Sequence, residues 1–384
     1  MSTYPESLEV ETSGDQPAPL GEEEKLYVAS QRRLMWWRFR KHKVALGSAV
    51  VIVLLYLVAL FAEFLAPFDP SAYDAKYIFA PPQPIHFFDE TGFQLRPFIY
   101  GLKGERDPDT LAMIYETDFT QKYPLYFFVH GDPYRFWGLF ETDRHLVGIQ
   151  SEEGTMFLLG SDRNGRDLLS RVIHGARISM SIGLIGVVMS LVLGVVIGGI
   201  SGYYGGGIDN FIQRLIEFLR SIPSIPLWLT LSAALPSDWS SLKIYFGITL
   251  ILSVIGWTDL ARVVRGRFLS LREEDFVLAA ELYGVNEMRI ILRHMVPSFI
   301  SHIIASLTLA IPTMILSETA LSFLGLGLRP PLVSWGVLLK EAQNVQAVAI
   351  APWLFAPGIF IVIAVLAFNF VGDGIRDAAD PYAR

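Results

Sequence analysis

Several apolar runs in this chain approach or exceed the ~20 residues that a helix needs to cross a bilayer. Val44–Ala62 and Ile178–Ser201 contain no charge, and Ser221–Ser237 is also charge-free and extended backwards by Phe211–Leu219. Ile244–Thr258 is shorter and runs on to Leu260 or beyond. Met295–Ser317 holds His302 as its one ionisable group, and Ala342–Gly372 is charge-free and longer than one span needs. Counted together they predict six transmembrane helices. Composition agrees: 52% of the residues are hydrophobic, 18% are charged, and the mean hydropathy is +0.40. That is the profile of a polytopic membrane protein, and with the six predicted helices the expected class is all-α. The formal charge of −7 says little, because the acids concentrate in the N-terminal tail and in residues 67–167. The chain has no cysteine, which excludes disulfides, thiol catalysis and cysteine-ligated metals. The first run is 19 residues long with over 40 residues before it, so it reads as an uncleaved anchor rather than a signal peptide.

Lysine and arginine near the spans set the orientation. Arg32, Arg33, Arg38, Arg40, Lys41 and Lys43 crowd the entrance to the first run, so the N-terminus is predicted to be cytoplasmic. Residues 1–25 form an acidic, polar tail that reads as disordered, and residues 26–43 form the basic juxtamembrane segment. Alternating outward from there, residues 44–62 cross, 63–175 lie outside, and the core 176–372 holds the other five helices. The basic loop 261–297 then falls on the cytoplasmic side, as its charge demands, and so does the tail 373–384. The exterior segment is rich in aromatics and turns, as in YPLYFFVHGDPYRFWGLF (123–140). Its alternation predicts a small, mostly β unit inserted between the first and second helices, with Gly101–Thr120 as its most loop-like part.

Three features inside the spans stand out. Gly186, Ser190, Gly194, Gly198 and Gly202 recur every four residues and form a small-residue stripe for close helix packing, within one chain or between subunits. Pro223, Pro226 and Pro312 interrupt helices. Glu318, near the outer end of the fifth span, is a candidate pathway residue, with a capping or interhelix hydrogen-bond role as the alternative.

The stretch Asp259–Pro297 carries six arginines between two spans. Arg272–Leu282 is predicted to form a short helix with Glu273, Glu274 and Asp275 in its first turn, where acids suit the helix dipole. Gly284 stops it, a second helix covers about Glu287–His294, and Pro297 precedes the fifth span. Phe276, Ala279, Ala280, Leu282 and Tyr283 make an apolar face too large for a free hairpin. Either a partner's groove buries it, with the two alanines allowing close approach, or the chain's own helices do. The chain lacks a G-x-x-x-x-G-K-[S/T] phosphate loop, H-E-x-x-H and G-x-S-x-G, and its seven histidines lack ligand-like spacing. No catalytic or metal-binding residue is therefore assigned.

Leu278-Ala279-Ala280-Glu281-Leu282-Tyr283-Gly284, closing at Val296-Pro297, resembles the E-A-A-x-x-x-G loop of ABC importer permeases, with Leu278 in place of the glutamate. LLGSDRNGRDLLSRVIHGARIS (158–179), SGYYGGGIDNFIQRLIEFLRSIPSIP (201–226), SETALSFLGLGLRPPLVSWGVLL (317–339) and NFVGDGIRDAADP (369–381) are similar to further segments of the dipeptide, oligopeptide and nickel permeases of the second ("C") type. The resemblance covers about 36–66 and 158–384; the exterior segment is longer than in plain dipeptide permeases. It implies a type I importer permease (MetI-like) fold in a bacterial or archaeal cytoplasmic membrane. It also implies half of a heterodimeric pore, with a second permease subunit, two ATPase subunits and an extracytoplasmic substrate-binding protein as partners. ATP and Mg would bind those ATPases; this chain would bind no cofactor and hydrolyse nothing. Phe276, Ala279, Ala280, Glu281, Tyr283, Gly284 and Pro297 would form the ATPase-coupling loop. Arg289 and Arg293 would pair either with acids on the ATPase or with lipid headgroups. Cargo would be peptides, with oligosaccharides or nickel chelates as alternatives. A membrane receptor or a channel is the competing class, disfavoured by the lack of a signalling domain or a filter motif. Nothing points to nucleic acid.

Overall fold

The computed structural model describes residues 31–90, 92–108, 113–151, 154–236, 238–344 and 349–379. The tail expected at 1–25 lies outside them, as do the last five residues of the chain. Helix α1 (Gln31–Lys41) ends in Arg38, Arg40 and Lys41. His42 then caps α2 (Lys43–Leu60), its Nδ1 accepting from the Ala45 amide at 3.1 Å. The short α3 (Ala62–Leu65) leads into five strands: β1 (His86–Asp89), β2 (Gly92–Arg106), β3 (Met113–Pro124), β4 (Tyr126–Phe136) and β5 (Phe140–Gly148). The remaining helices are α4 (Leu168–Tyr204), α5 (Gly206–Ser221), α6 (Ser224–Ala233), α7 (Ser241–Leu271), α8 (Asp275–Leu282), α9 (Glu287–Arg289), α10 (Val296–Ser298), α11 (Ile300–Phe323), α12 (Trp335–Glu341) and α13 (Ala356–Ala379).

Five of these segments are apolar and long enough to span a membrane: Lys43–Leu60, Leu168–Tyr204, Ser241–Leu271, Ile303–Phe323 and Pro352–Ala379. The run expected as the third span is broken instead. Ile222 adopts an extended backbone between α5 and α6, just before Pro223, a residue that restricts its predecessor to that region. The apolar helix that follows, α6, has ten residues, a length of about 15 Å.

Two helices extend past the apolar runs. Helix α4 starts at Leu168, where Asp167 caps it by accepting from the Ser170 amide at 2.7 Å. Helix α7 runs on to Leu271. At 37 residues α4 is about 55 Å long, well beyond the ~30 Å of a hydrocarbon core. Helices α4 and α7 run parallel: Tyr245 donates to Ser181 Oγ, Ser253 to the Gly186 carbonyl, and Gly202 abuts Phe268.

The strands form an antiparallel three-stranded sheet, β1-β2-β3, and a separate β4–β5 hairpin. Ile99, Leu125 and Met156 form a small core between them. The segment Gly101–Thr120, expected to be loop-like, is mostly paired, from Gly101 with Asp118 to Arg106 with Met113. Its side chains are largely exposed on both faces, which removes the alternation that marks a strand in sequence. The backbone ladder and cross-strand pairs hold it instead.

Candidate functional site

Glu274 to Ser298 form a hairpin that projects beyond the end of α7. Its first arm, α8, ends in a Schellman motif. The Val285 amide donates to the Ala280 carbonyl at 3.1 Å, and the Gly284 amide to the Glu281 carbonyl at 2.9 Å. Gly284 sits at φ +69° with open space where a Cβ would be, so the backbone conformation, not crowding, calls for glycine there. Asn286 then accepts from the Met288 amide at 2.9 Å and starts the second arm. That arm is not the plain helix expected over 287–294. Ile290–Met295 widen into a π-helical turn just before Pro297, which has no N–H to continue an α-helical ladder.

One side of the hairpin is keyed into its own chain. Val277, Ala280, Ile290, Ile291 and Met295 pack with Val195 of α4, Leu260, Val264 and Phe268 of α7, and Ile303 of α11. The close approach of α4 to α7 at this end depends on the small-residue stripe. A methyl at Gly198 would lie 2.5 Å from the Ala261 carbonyl oxygen, and one at Gly202 would lie 2.7 Å from that of Arg265. Ser190 Oγ donates to the Ser253 carbonyl at 3.3 Å, while Gly186 faces Met314 and Gly194 faces Leu260. All five stripe residues are buried within this chain. Two tyrosines at the end of α4 tie down the hairpin: Tyr203 donates to Glu281 at 2.7 Å, and Tyr204 donates to Glu287. Beneath them Asp209 of α5 receives a two-pronged contact from Arg265, with Nη2 at 2.5 Å.

The other side is bare. Leu282 is 90% exposed and Tyr283 88%, and Phe276, Leu278, Met288 and Leu292 are exposed too. Phe276, Ala279 and Tyr283 follow at i, i+3 and i+7, on one helical face. The expected apolar face is thus divided. Ala280 is buried in the chain's own core at 7% exposure, and Ala279 is exposed. Glu281 holds Tyr203, while Arg289, Arg293 and Pro297 are exposed along the second arm.

Behind the hairpin, a cavity of about 330 Å³ opens between α4, α6, α7 and α11. Its wall includes Ser190, Trp228, Asp259, Thr313, Met314 and Ser317. Asp259 also pairs with Arg220 at the end of α5, and Arg214 pairs with Glu217 at 2.8 Å. Glu318 does not line this wall. It is fully buried and accepts from Ser322 and Ser334, both at 2.7 Å, so its oxygen Oε1 joins α11 to the start of α12.

Sequence reasoning missed a second cluster, at the opposite end of α4. Arg171 contacts buried Asp162 and reaches Glu341 of α12 at 3.1 Å. Arg166 bridges the same two acids, at 2.7 Å and 3.1 Å. Trp335 fits beside it, donating from its indole to the Val172 carbonyl at 3.0 Å and from its amide to Ser179 at 3.1 Å. The available signal was the pair of arginines at the edge of an apolar run, which need acids to be buried there.

Comparison with known proteins follows the same segments. A family model described as "Binding-protein-dependent transport system inner membrane component" matches residues 194–384, and one described as "N-terminal TM domain of oligopeptide transport permease C" matches residues 30–82. The chain is 31% identical over 373 residues to the oligopeptide transport system permease protein OppC of Bacillus subtilis (strain 168), covering 96% of this chain and 95% of that protein. It is 40% identical over 250 residues to the Escherichia coli (strain K12) OppC, covering 64% and 78%. It is 37% identical over 227 residues to the dipeptide transport system permease protein DppC of B. subtilis, covering 59% and 68%. Among solved structures it is similar to the inward-facing MetNI methionine ABC transporter, with TM-score 0.44 and 17% identity over 56% of this chain and 98% of that one.

Proposed function

The chain belongs to the oligopeptide transport permease C family, and from that premise we propose that it is one permease subunit of an ATP-driven peptide importer. The observation that carries the proposal is the divided hairpin. One face is locked into three membrane helices by Ala280, Val277 and the Tyr203–Glu281 bond, and the other presents Phe276, Leu282 and Tyr283 to solvent. A partner that grips the bare face moves α4, α7 and α11 together. We assign that partner as an ATPase subunit, which would bring the ATP and Mg that this chain has no phosphate loop to hold. A second permease would complete the pore, using the cavity walled by Ser190, Trp228 and Asp259 as this chain's share. A binding protein would deliver peptides from outside. Oligosaccharides or nickel chelates are the alternative cargo.

The topology that goes with this reading has six crossings in the bacterial or archaeal cytoplasmic membrane, in a MetI-like arrangement. What supports the sixth is the parallel course of α4 and α7. Their C-terminal ends meet the same hairpin, so the chain between them, α5 and α6, must return across the membrane. Both termini and the hairpin then share the cytoplasmic side with Arg38, Arg40 and Lys41, and the β unit faces outward.

The test is Leu282→Asp combined with Tyr283→Asp. Both residues are almost fully exposed, so membrane insertion and the thermal midpoint of the chain should not change. Co-purification of the ATPase subunits and peptide uptake should be lost. Uptake at the native rate with the ATPases still attached would overturn the assignment.

A further inference from the structure

The β4–β5 hairpin turns back on the helix that precedes it. The Trp137 indole, at the hairpin's tip, donates to the carbonyl of Leu60, the last residue of α2, at 2.9 Å. Phe136 lies against Phe61 with ring centroids 6.0 Å apart, and Phe128 against Phe64 at the same distance. The tip therefore sits level with the point where a membrane-spanning helix ends. An apolar groove of about 720 Å³ runs beneath it, lined by Leu54, Leu57, Val58, Phe61, Phe136 and Phe140. Leu54 is six residues before Leu60, so the groove reaches about 9 Å down the helix.

We propose that this tip is immersed in the membrane leaflet that meets the C-terminal end of α2, and that the groove holds an acyl chain of a phospholipid there. Three observations favour lipid over a protein occupant. First, the groove continues an apolar surface on a helix long enough to span a membrane: α2 is mostly unburied, and Val50, Val53, Leu54, Leu57 and Leu60 are exposed along it. Second, the tip carries large apolar groups where a soluble hairpin carries polar ones. Leu139 is 82% exposed, and Trp137 and Phe140 are exposed as well.

Third, the charges are arranged as a headgroup layer needs. Arg177 lies over the Trp137 ring, 4.4 Å from its centroid, and pairs with Glu63 at 2.5 Å. Arg144, at the rim, donates to the Phe128 carbonyl at 3.1 Å, and Arg135 pairs with Glu141 at 2.6 Å. A tryptophan with guanidinium groups around it and aliphatic side chains below is the arrangement of a membrane–water boundary. Insertion to this depth matches the ~5–10 Å at which interfacial elements lie. Trp137 holds φ +51°, an unfavourable backbone for such a residue, which the Leu60 bond and the Arg177 contact fix in place.

The chain has no native cysteine, so a nitroxide at Leu139→Cys reports the tip alone. The full chain would be placed in vesicles of phosphatidylethanolamine and phosphatidylglycerol, with Thr117→Cys on exposed β3 as the aqueous reference. Relative to that reference, the label at 139 should favour collision with oxygen over a water-soluble nickel chelate several-fold. Equal behaviour at the two sites would overturn the proposal, and so would shielding of 139 from both reagents, the mark of a protein seated on the tip. A second measurement avoids the label. Emission from Trp137, obtained as the difference between the native chain and Trp137→Phe, should be quenched by phosphatidylcholine brominated along its acyl chains. An unquenched difference spectrum rules out the acyl chain in the groove.

Discussion

The two ends of α4 are finished in different ways. At its N-terminal end, Asp162, Arg166, Arg171 and Glu341 pair with one another, and Trp335 and Glu318 Oε1 bond to neighbours in the same chain, while Arg171 Nε and Glu318 Oε2 are buried without a hydrogen-bond partner among the described residues. At its C-terminal end the same helix supports a hairpin whose inner face is packed and whose outer face is bare. Charge is buried at low cost only beside its partners, so the paired charges of the first end must come together when the chain folds. Exposed apolar side chains need no partner in order to fold and gain from one later. The first end therefore fixes the frame, and the second leaves an apolar face that nothing among the described residues covers.

The hardest test of that contrast is the buried charge. Arg171→Leu leaves Asp162 fully enclosed with one guanidinium fewer, and removing one member of a buried pair costs about 3–5 kcal/mol. The variant should unfold at a clearly lower temperature or fail to purify as a single species. Arg289→Ala, on the exposed arm of the hairpin, should stay within about 0.5 kcal/mol of the native chain. If the two variants lost stability equally, the ends would not differ in the way described. A smaller effect is expected at the turn of the hairpin. Gly284→Ala places a Cβ at φ +69°, a strain of about 1–2 kcal/mol, without any steric contact. It should loosen hydrogen-exchange protection at Val285 and Ala280 and leave the Arg171 end unchanged.

How much of this was legible in sequence depended on distance along the chain. The helix stop at Gly284 and the four-residue stripe are local patterns, and both are found in the structure as turn and packing surface. Nothing local in the sequence shows that Arg171 and Arg177 sit in the first turns of α4. Their acids, Asp162, Glu341 and Glu63, become neighbours only in the fold. The same applies to Glu318: Ser322 is one turn away, but Ser334 comes from another element. Ala280 shows the limit within a single helix. Its spacing said that it faces something apolar, and only the packing decided whether that was a partner or Phe268's own layer.

The smallest expected effect separates capping from charge at the first end. Burial pushes the Asp167 carboxyl up to about 6, with Asp162 adding to the rise. An unfolded aspartate titrates near about 3.9. Between those values the folded chain keeps a proton that the unfolded chain has lost, so stability falls as pH rises through that window. Above it the full cost of the buried charge is present. Asp167→Asn keeps an acceptor for the Ser170 amide and removes the charge. Its thermal midpoint should match the native chain at about pH 3, below the window, and exceed it at about pH 7, above the window. Asp167→Ala should lose about 1 kcal/mol of capping at low pH, where no charge is at stake. A midpoint difference between the native and Asn chains that stayed constant across pH would mean that Asp167 reaches solvent. The N-terminal end of α4 would then be open as well, and the contrast between its two ends would fail.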